Sequence, residues 1–262
     1  MDTPETDSRR NRREGHPPGK KRKALELKST IGQGWLHYEA RRIGKAGLVL
    51  PVVVILGVVS IAVAMALTGS GPDLVALRLT SGLEYYLPFV AGLAVAFVVS
   101  DEPALDLDLT LETRYPTTVL RRLALVVGWS VAVAILWAST LRVLGMFAWS
   151  GPFLVLQLGW LAPLLWYVSL GVLLSLLLRS RVASGAILAG VWLAATSLGG
   201  LLTNNDFLSL FSLSMTTYGL PFLGWETWLN NRIVMIAMSL AMTLWSIRIL
   251  RDNETLVRGG DG

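Results

Sequence analysis

Two histidines, His16 and His37, and no cysteine are all this chain offers for metal, redox or nucleophilic chemistry of the usual kinds. Both histidines precede the first long apolar run. A histidine relay or histidine metal cage inside a membrane is therefore excluded, as are disulfides and thiolate catalysis. The nearest approach to a phosphate loop is Gly15-His16-Pro17-Pro18-Gly19-Lys20-Lys21. That motif needs four residues between its glycines and a hydroxyl after the lysine. Here there are three, Lys21 holds the hydroxyl position, and two prolines remove amides that should cradle phosphate. Gly32-Gln33-Gly34 fails the dinucleotide pattern because His37 stands where its third glycine belongs. Asn253-Glu254-Thr255 matches a glycosylation acceptor but falls on the side expected to be cytoplasmic. ATP is thus not expected to bind this chain; any uphill transport draws on a partner or an ion gradient.

Gradient coupling and membrane-embedded acid–base catalysis both rest on ionisable groups at membrane depth. Glu84 and Arg142 sit near the ends of apolar runs, where long side chains snorkel. Gln157 is uncharged. No carboxylate is expected deep in a span, which disfavours proton or sodium coupling and an enzymatic role.

The elements that position these residues are set by composition. The 262 residues are 53% hydrophobic and only 16% charged, against about a quarter charged in soluble domains. Residues 1–24 are basic, polar and Pro/Gly-bearing, and read as a disordered tail. Residues 25–45 mix Leu25, Leu27, Ile31, Trp35 and Ile43 with charge, at a spacing that suits an amphipathic helix on the membrane surface; a soluble linker is the bland alternative. Six apolar runs come next, over 46–68, 83–100, 123–148, 153–178, 182–200 and 233–250, each near the length a helix needs to cross. Residues 251–262 form a second tail. No cleavable leader is visible, since the first apolar run is too late and too long. With the N-terminus in the cytoplasm, only Arg78, Arg142 and Arg232 of the 23 basic residues fall outside. That skew predicts six spans in the plasma (inner) membrane with both termini cytoplasmic. The same basic N-terminal cluster explains the net charge of +5 as an anchor, not a nucleic-acid footprint. Residues 201–231 fit neither class: their apolar pieces are too short to cross, and they read as a partly helical outer loop dipping toward the interface.

The segment between the second and third runs, Asp101-Glu102-Pro103 through Arg121-Arg122, carries alternating leucines (Leu105, Leu107, Leu109, Leu111), then Glu112, Arg114, Tyr115 and Pro116-Thr117-Thr118. Alternation formally favours a strand, but a lone strand between spans has no partner edge, so a helix is expected. Pro116 breaks it, and Thr117 or Thr118 caps the helix of the third span. In order and spacing this segment resembles the cytoplasmic coupling helix of ABC-2 type permeases, with its acidic start, leucine-rich run, proline, hydroxyl residue and basic start to span three. Val119 stands where many members carry Arg or Lys. The basic segment before span one, the six spans and the longer loop before span six are similar too, over roughly residues 30–250. An inner amphipathic linker without a docking role is the plain reading of 101–122.

The resemblance implies an all-α membrane fold with six transmembrane helices, an N-terminal interfacial helix and a coupling helix between spans two and three. It implies a permease subunit of an ATP-driven exporter, paired with a second permease subunit as homodimer or related heterodimer. ATP and Mg would be bound by a separate ATPase chain, docked through Asp101, Glu102, Leu109, Glu112, Arg114, Tyr115, Pro116 and Thr117. Tyr85, Tyr86, Gln157, Trp160, Trp166, Tyr167 and Trp192 are candidates to line a route for hydrophobic or amphipathic cargo (a drug, a lipid-linked molecule or a peptide), with interfacial or packing roles as the alternative. Close helix contacts are expected at Gly92 and Ala96, Gly185 and Gly190, or Gly199 and Gly200. A reading of a different class is an accessory membrane protein, an assembly or immunity factor that transports nothing.

Overall fold

A computed structural model describes residues 44–100, 115–149, 151–202, 205–213 and 215–258, all within one compact unit. The described residues are helical, without strands. Six of their helices are long and apolar enough to cross a membrane, and the protein is a multi-spanning membrane protein. In chain order the helices are α1 (Gly44–Leu67), α2 (Pro72–Ser100), α3 (Tyr115–Val143), the short α4 (Phe153–Leu156), α5 (Leu158–Leu178), α6 (Arg181–Leu202), the short α7 (Asp206–Ser209) and α8 (Leu220–Arg258). The spans are α1, α2, α3, α4 with α5, α6 and α8.

α1 is apolar on all sides, as a helix facing lipid can be. It stops at Gly69, whose φ of +83° lets the Ser70 amide reach back to Met65 O at 3.0 Å. The chain then re-enters at Pro72, with Asp73 in the first turn, a pattern that starts helices. α2 consequently begins eleven residues before the apolar run that marks it in the sequence. It is the central helix: 72% of its spanning window is buried, against 17% for α1 and for α6.

Around α2 the spans interlock in two ways. Against α5 the contact is backbone to backbone. A Cβ added at Gly92 would lie 2.6 Å from Tyr167 O, and one at Gly171 would lie 2.5 Å from Gly92 O. One helical turn on, Ser175 Oγ donates to Ala96 O at 3.1 Å. Gly92 and Ala96 thus pack within the subunit, as small residues do between membrane helices, and Gly171 completes the contact. Gly185 meets Leu93 and Phe97, whereas Gly190 meets nothing within 4 Å. The second device is indole cross-bonding. Trp129 Nε1 donates to Leu48 O of α1 (2.8 Å), Trp137 Nε1 to Leu79 O of α2 (3.2 Å), and Trp192 Nε1 to Tyr85 O of α2 (3.2 Å). Each pairs a polar indole edge with a carbonyl of a neighbouring span, Trp129 from the exposed outside of the bundle.

The expected surface helix at 25–45 lies outside the described residues except for its last two, which open α1. The expected tail from 251 is helical as far as Arg258.

Candidate functional site

Glu84 lies twelve residues into α2, about 18 Å along the helix axis from Pro72. It is not at a span end and does not snorkel: its side chain is fully buried. The expectation that no carboxylate lies deep in a span is therefore overturned. The apolar run read from the sequence started at Leu83 and so put Glu84 at an edge that the helix does not have. Pro88, four residues on, has no N–H to give the Glu84 carbonyl, which loosens the backbone at this level.

A buried carboxylate needs donors and a counter-charge. Both come from the far end of the sequence. After α6 the chain forms α7, capped by Asn205, whose side chain accepts from the Phe207 and Leu208 amides. It then enters a single π-helical turn, Met215–Gly219. Two successive amides of that turn point at Glu84. Thr216 N donates to Oε1 at 2.7 Å and Thr217 N to Oε2 at 2.8 Å, and Thr217 Oγ1 donates to Oε2 at 2.6 Å. The counter-charge is Arg232 of α8, whose Nη2 binds Oε1 in a fully buried salt bridge and also donates to Thr216 Oγ1 at 2.6 Å. Thr216 Oγ1 accepts a further bond from Trp228 Nε1 at 3.0 Å, and the guanidinium carbon lies 5.8 Å from the Trp228 ring centroid. Trp225 stacks on Trp228 from outside, with centroids 4.7 Å apart.

Next to Arg232, Asn231 fastens the same segment from the other side. Its Nδ2 donates to the carbonyls of Ser209 (2.8 Å), Leu210 (2.9 Å) and Ser212 (3.0 Å). Between this segment and the body of α8 stands Gly224, at φ 80° and ψ 173°, a region of backbone space open in practice only to glycine. The stretch expected as an outer loop therefore reaches down to the level of Glu84. Met215, Thr216, Ser209 and Ser212 are buried in protein there, where the carbonyls of Ser209, Leu210 and Ser212 accept from Asn231 and the amides of Thr216 and Thr217 donate to Glu84. The loop after α3 folds in beside it: Ala148 N donates to Thr80 Oγ1 at 3.0 Å, one turn before Glu84.

The donors decide what this site can do. A carboxylate offers about four lone pairs, and here Oε1 receives two donors and Oε2 two more. A proton or metal ion could bind only by displacing one of them. Glu84 is the one buried carboxylate among the described residues. The carboxylate that was not expected at this depth is thus present, and its acceptor positions are occupied. Arg232 is less well served, since its Nη1 reaches only Met235 Sδ at 3.4 Å and its Nε finds no partner among the described residues.

No protein-family model, no curated protein and no solved structure matches this chain. Its function must be argued from its own residues.

Of the expected docking residues, Asp101, Glu102, Leu109, Glu112 and Arg114 lie outside the described residues. Tyr115, Pro116 and Thr117 form the first turn of α3, with Pro116 inside the start of the helix, where a missing N–H costs nothing. Of the expected pathway residues, Tyr86, Trp166, Tyr167 and Trp192 join one aromatic column with Phe89. Its rings run in the order Tyr86–Trp192 (5.8 Å), Trp192–Phe89 (5.3 Å), Phe89–Tyr167 (6.1 Å) and Tyr167–Trp166 (5.2 Å). Tyr85 is buried on the next position of α2. Gln157 and Trp160 bind each other at the α4–α5 junction, Trp160 Nε1 to Gln157 Oε1 at 2.7 Å. The column lies where α2, α5 and α6 meet, whereas Trp160 packs in a separate cluster with Leu83, Leu87 and Leu164. Sequence reasoning missed Glu84, Thr216, Thr217, Trp228, Asn231 and Arg232. The available signal was a Glu and an Arg, each two to three turns inside the same end of two spans.

Proposed function

We propose that this protein is the membrane-spanning permease subunit of an ATP-driven exporter. It forms, with a second permease subunit, the route for a hydrophobic or amphipathic cargo and couples to a separate ATPase. The observation that carries the reading is the 101–122 segment in its six-span setting: an acidic start, a leucine-rich run, Pro116 and paired threonines, and Arg121-Arg122 at the head of span three. Three further features support it. The sequence lacks a phosphate loop, so ATP-derived energy would have to come from a partner chain. The buried carboxylate is saturated with donors, which weighs against a gradient-driven carrier. The chain between the fifth and sixth spans folds into the bundle, in keeping with a protein-lined route that must be closed at one end. In this reading both termini are cytoplasmic, the membrane is the plasma (inner) membrane, and ATP with Mg belongs to the partner chain.

Purification from detergent should bring down an ATPase subunit whose hydrolysis rises with cargo. Replacing Glu112 and Arg114 together should leave the permease in the membrane while transport per ATP hydrolysed falls about tenfold or more, the effect of losing a rigid element that transmits closure. Purification of the intact chain without an ATPase, or full transport by the double variant, would sink the reading. The first of these outcomes would favour the accessory-factor alternative. A reporter fused after Gly262 should be active only on the cytoplasmic side, given where the basic residues lie; activity on the outer side overturns the orientation.

A further inference from the structure

We propose that α7 and the Met215–Gly219 turn form a releasable strap across one end of the bundle, with the Glu84 carboxylate as its catch. The strap is held from two sides of unequal kind. Asn231, on its own side of the chain, grips three carbonyls of the stretch after α7. Glu84, on a helix far away in sequence, grips the turn itself through two amides and a hydroxyl. Freeing the turn from α2 therefore requires Glu84 to let go of it.

The buried face of the strap mixes hydroxyls with apolar anchors. It carries Ser209, Ser212, Thr216 and Thr217 beside Leu213 and Met215, and Leu213 packs in the core with Ala96, Tyr167 and Met235. Its outer face carries Phe207, Leu208 and Phe211, all exposed. A contact closed by a carboxylate, a guanidinium, amides and hydroxyls is strong while dry, because the low dielectric strengthens each bond. Once water enters, these groups hydrate well, which offsets part of the cost of baring Leu213 and Met215. Such a contact has two arrangements, shut and wetted, with little in between. The backbone on either side permits the movement. Gly224 breaks the helical path near the start of α8, and π-helical turns are frequent at functional sites.

Hydrogen exchange on the full chain in lipid nanodiscs tests this without any knowledge of cargo or ATPase, so its outcome is separate from that of the exporter reading. In the unaltered protein the Thr216 and Thr217 amides should exchange at least about tenfold faster than those of Leu83–Ala96 in α2, as befits a unit that opens on its own. Glu84→Gln should speed Thr216 and Thr217 by at least a further factor of about ten while leaving the α2–α5 amides unchanged. If that variant fails to reach the membrane, Thr217→Val carries the test. It keeps the ion pair and both amide bonds, loses only the hydroxyl bond, and should speed the two amides about fivefold. Exchange of the strap at the rate of α2 in the unaltered protein would show a fixed part of the core and overturn the proposal. So would unchanged exchange at Thr216 and Thr217 in the variants.

Discussion

Replacing Glu84 with leucine should destabilise the folded bundle by about 3 kcal/mol, the low end of the range for breaking a buried ion pair by removing one partner. The low end applies because a chain unfolded within a membrane also finds polar partners. The loss has two parts. Arg232, fully buried, is left without a counter-charge, and the amides of Thr216 and Thr217 are left without an acceptor. These parts can be separated. Adding Arg232→Met to Glu84→Leu removes the stranded charge but not the stranded amides, so the double variant should recover part of the loss and not all of it. Thermal or steric-trapping measurements of unfolding in bicelles would read the series. A double variant no more stable than the Glu84 single variant would mean that the charge pair does not set the stability of this end of the bundle.

Gly171→Ala should be nearly as damaging, although it adds only one methyl group. The new Cβ would lie 2.5 Å from Gly92 O, and a backbone atom cannot swing aside as a side-chain tip can. α5 must back away from α2, which strains the packing of the two most buried spans. Forced overpacking of this sort costs about 1–3 kcal/mol. Gly190→Ala is the control, because that position meets nothing within 4 Å. There the better helix propensity of alanine should leave stability unchanged or raise it by up to about 1 kcal/mol. Equal effects of the two substitutions on unfolding would show that helix propensity, not the α2–α5 contact, governs both.

The six spans were legible because each needs only a long apolar run, and lipid demands little else of a sequence. The residues that escaped were legible only in pairs. Glu84, Thr80 and Arg78 shortened the apolar run of α2 and so moved its expected start to Leu83. Thr80 and Glu84 are polar because they hold other parts of the chain: Thr80 binds the loop after α3, and Glu84 binds the turn after α7. Arg232 looked like the last residue of an outer loop for the same reason. Its partner stands 148 residues away, and neither residue reveals the other by local pattern. Gly92 was legible as a small residue suited to close packing. Gly171 was not singled out, since a glycine in an apolar helix has many possible uses and only the facing backbone selects among them. The aromatic residues considered for a cargo route were legible as aromatic, but the column they form passes through Phe89, a neighbour that packing alone supplies.

The distance in sequence between Glu84 and Arg232 is also a delay in synthesis. At ribosomal speeds of about 5–20 residues per second, the 148 residues between them take about 7–30 s to make. For that interval α2 is in the membrane, or on its way there, with an acidic side chain whose partner does not yet exist. Through that wait Glu84 has no counter-charge from its own chain, and a buried charge needs water or another partner until Arg232 arrives. Shortening of that wait, by slower initiation of insertion or faster translation of the second half, would act on the yield of protein and not on the stability of the finished bundle.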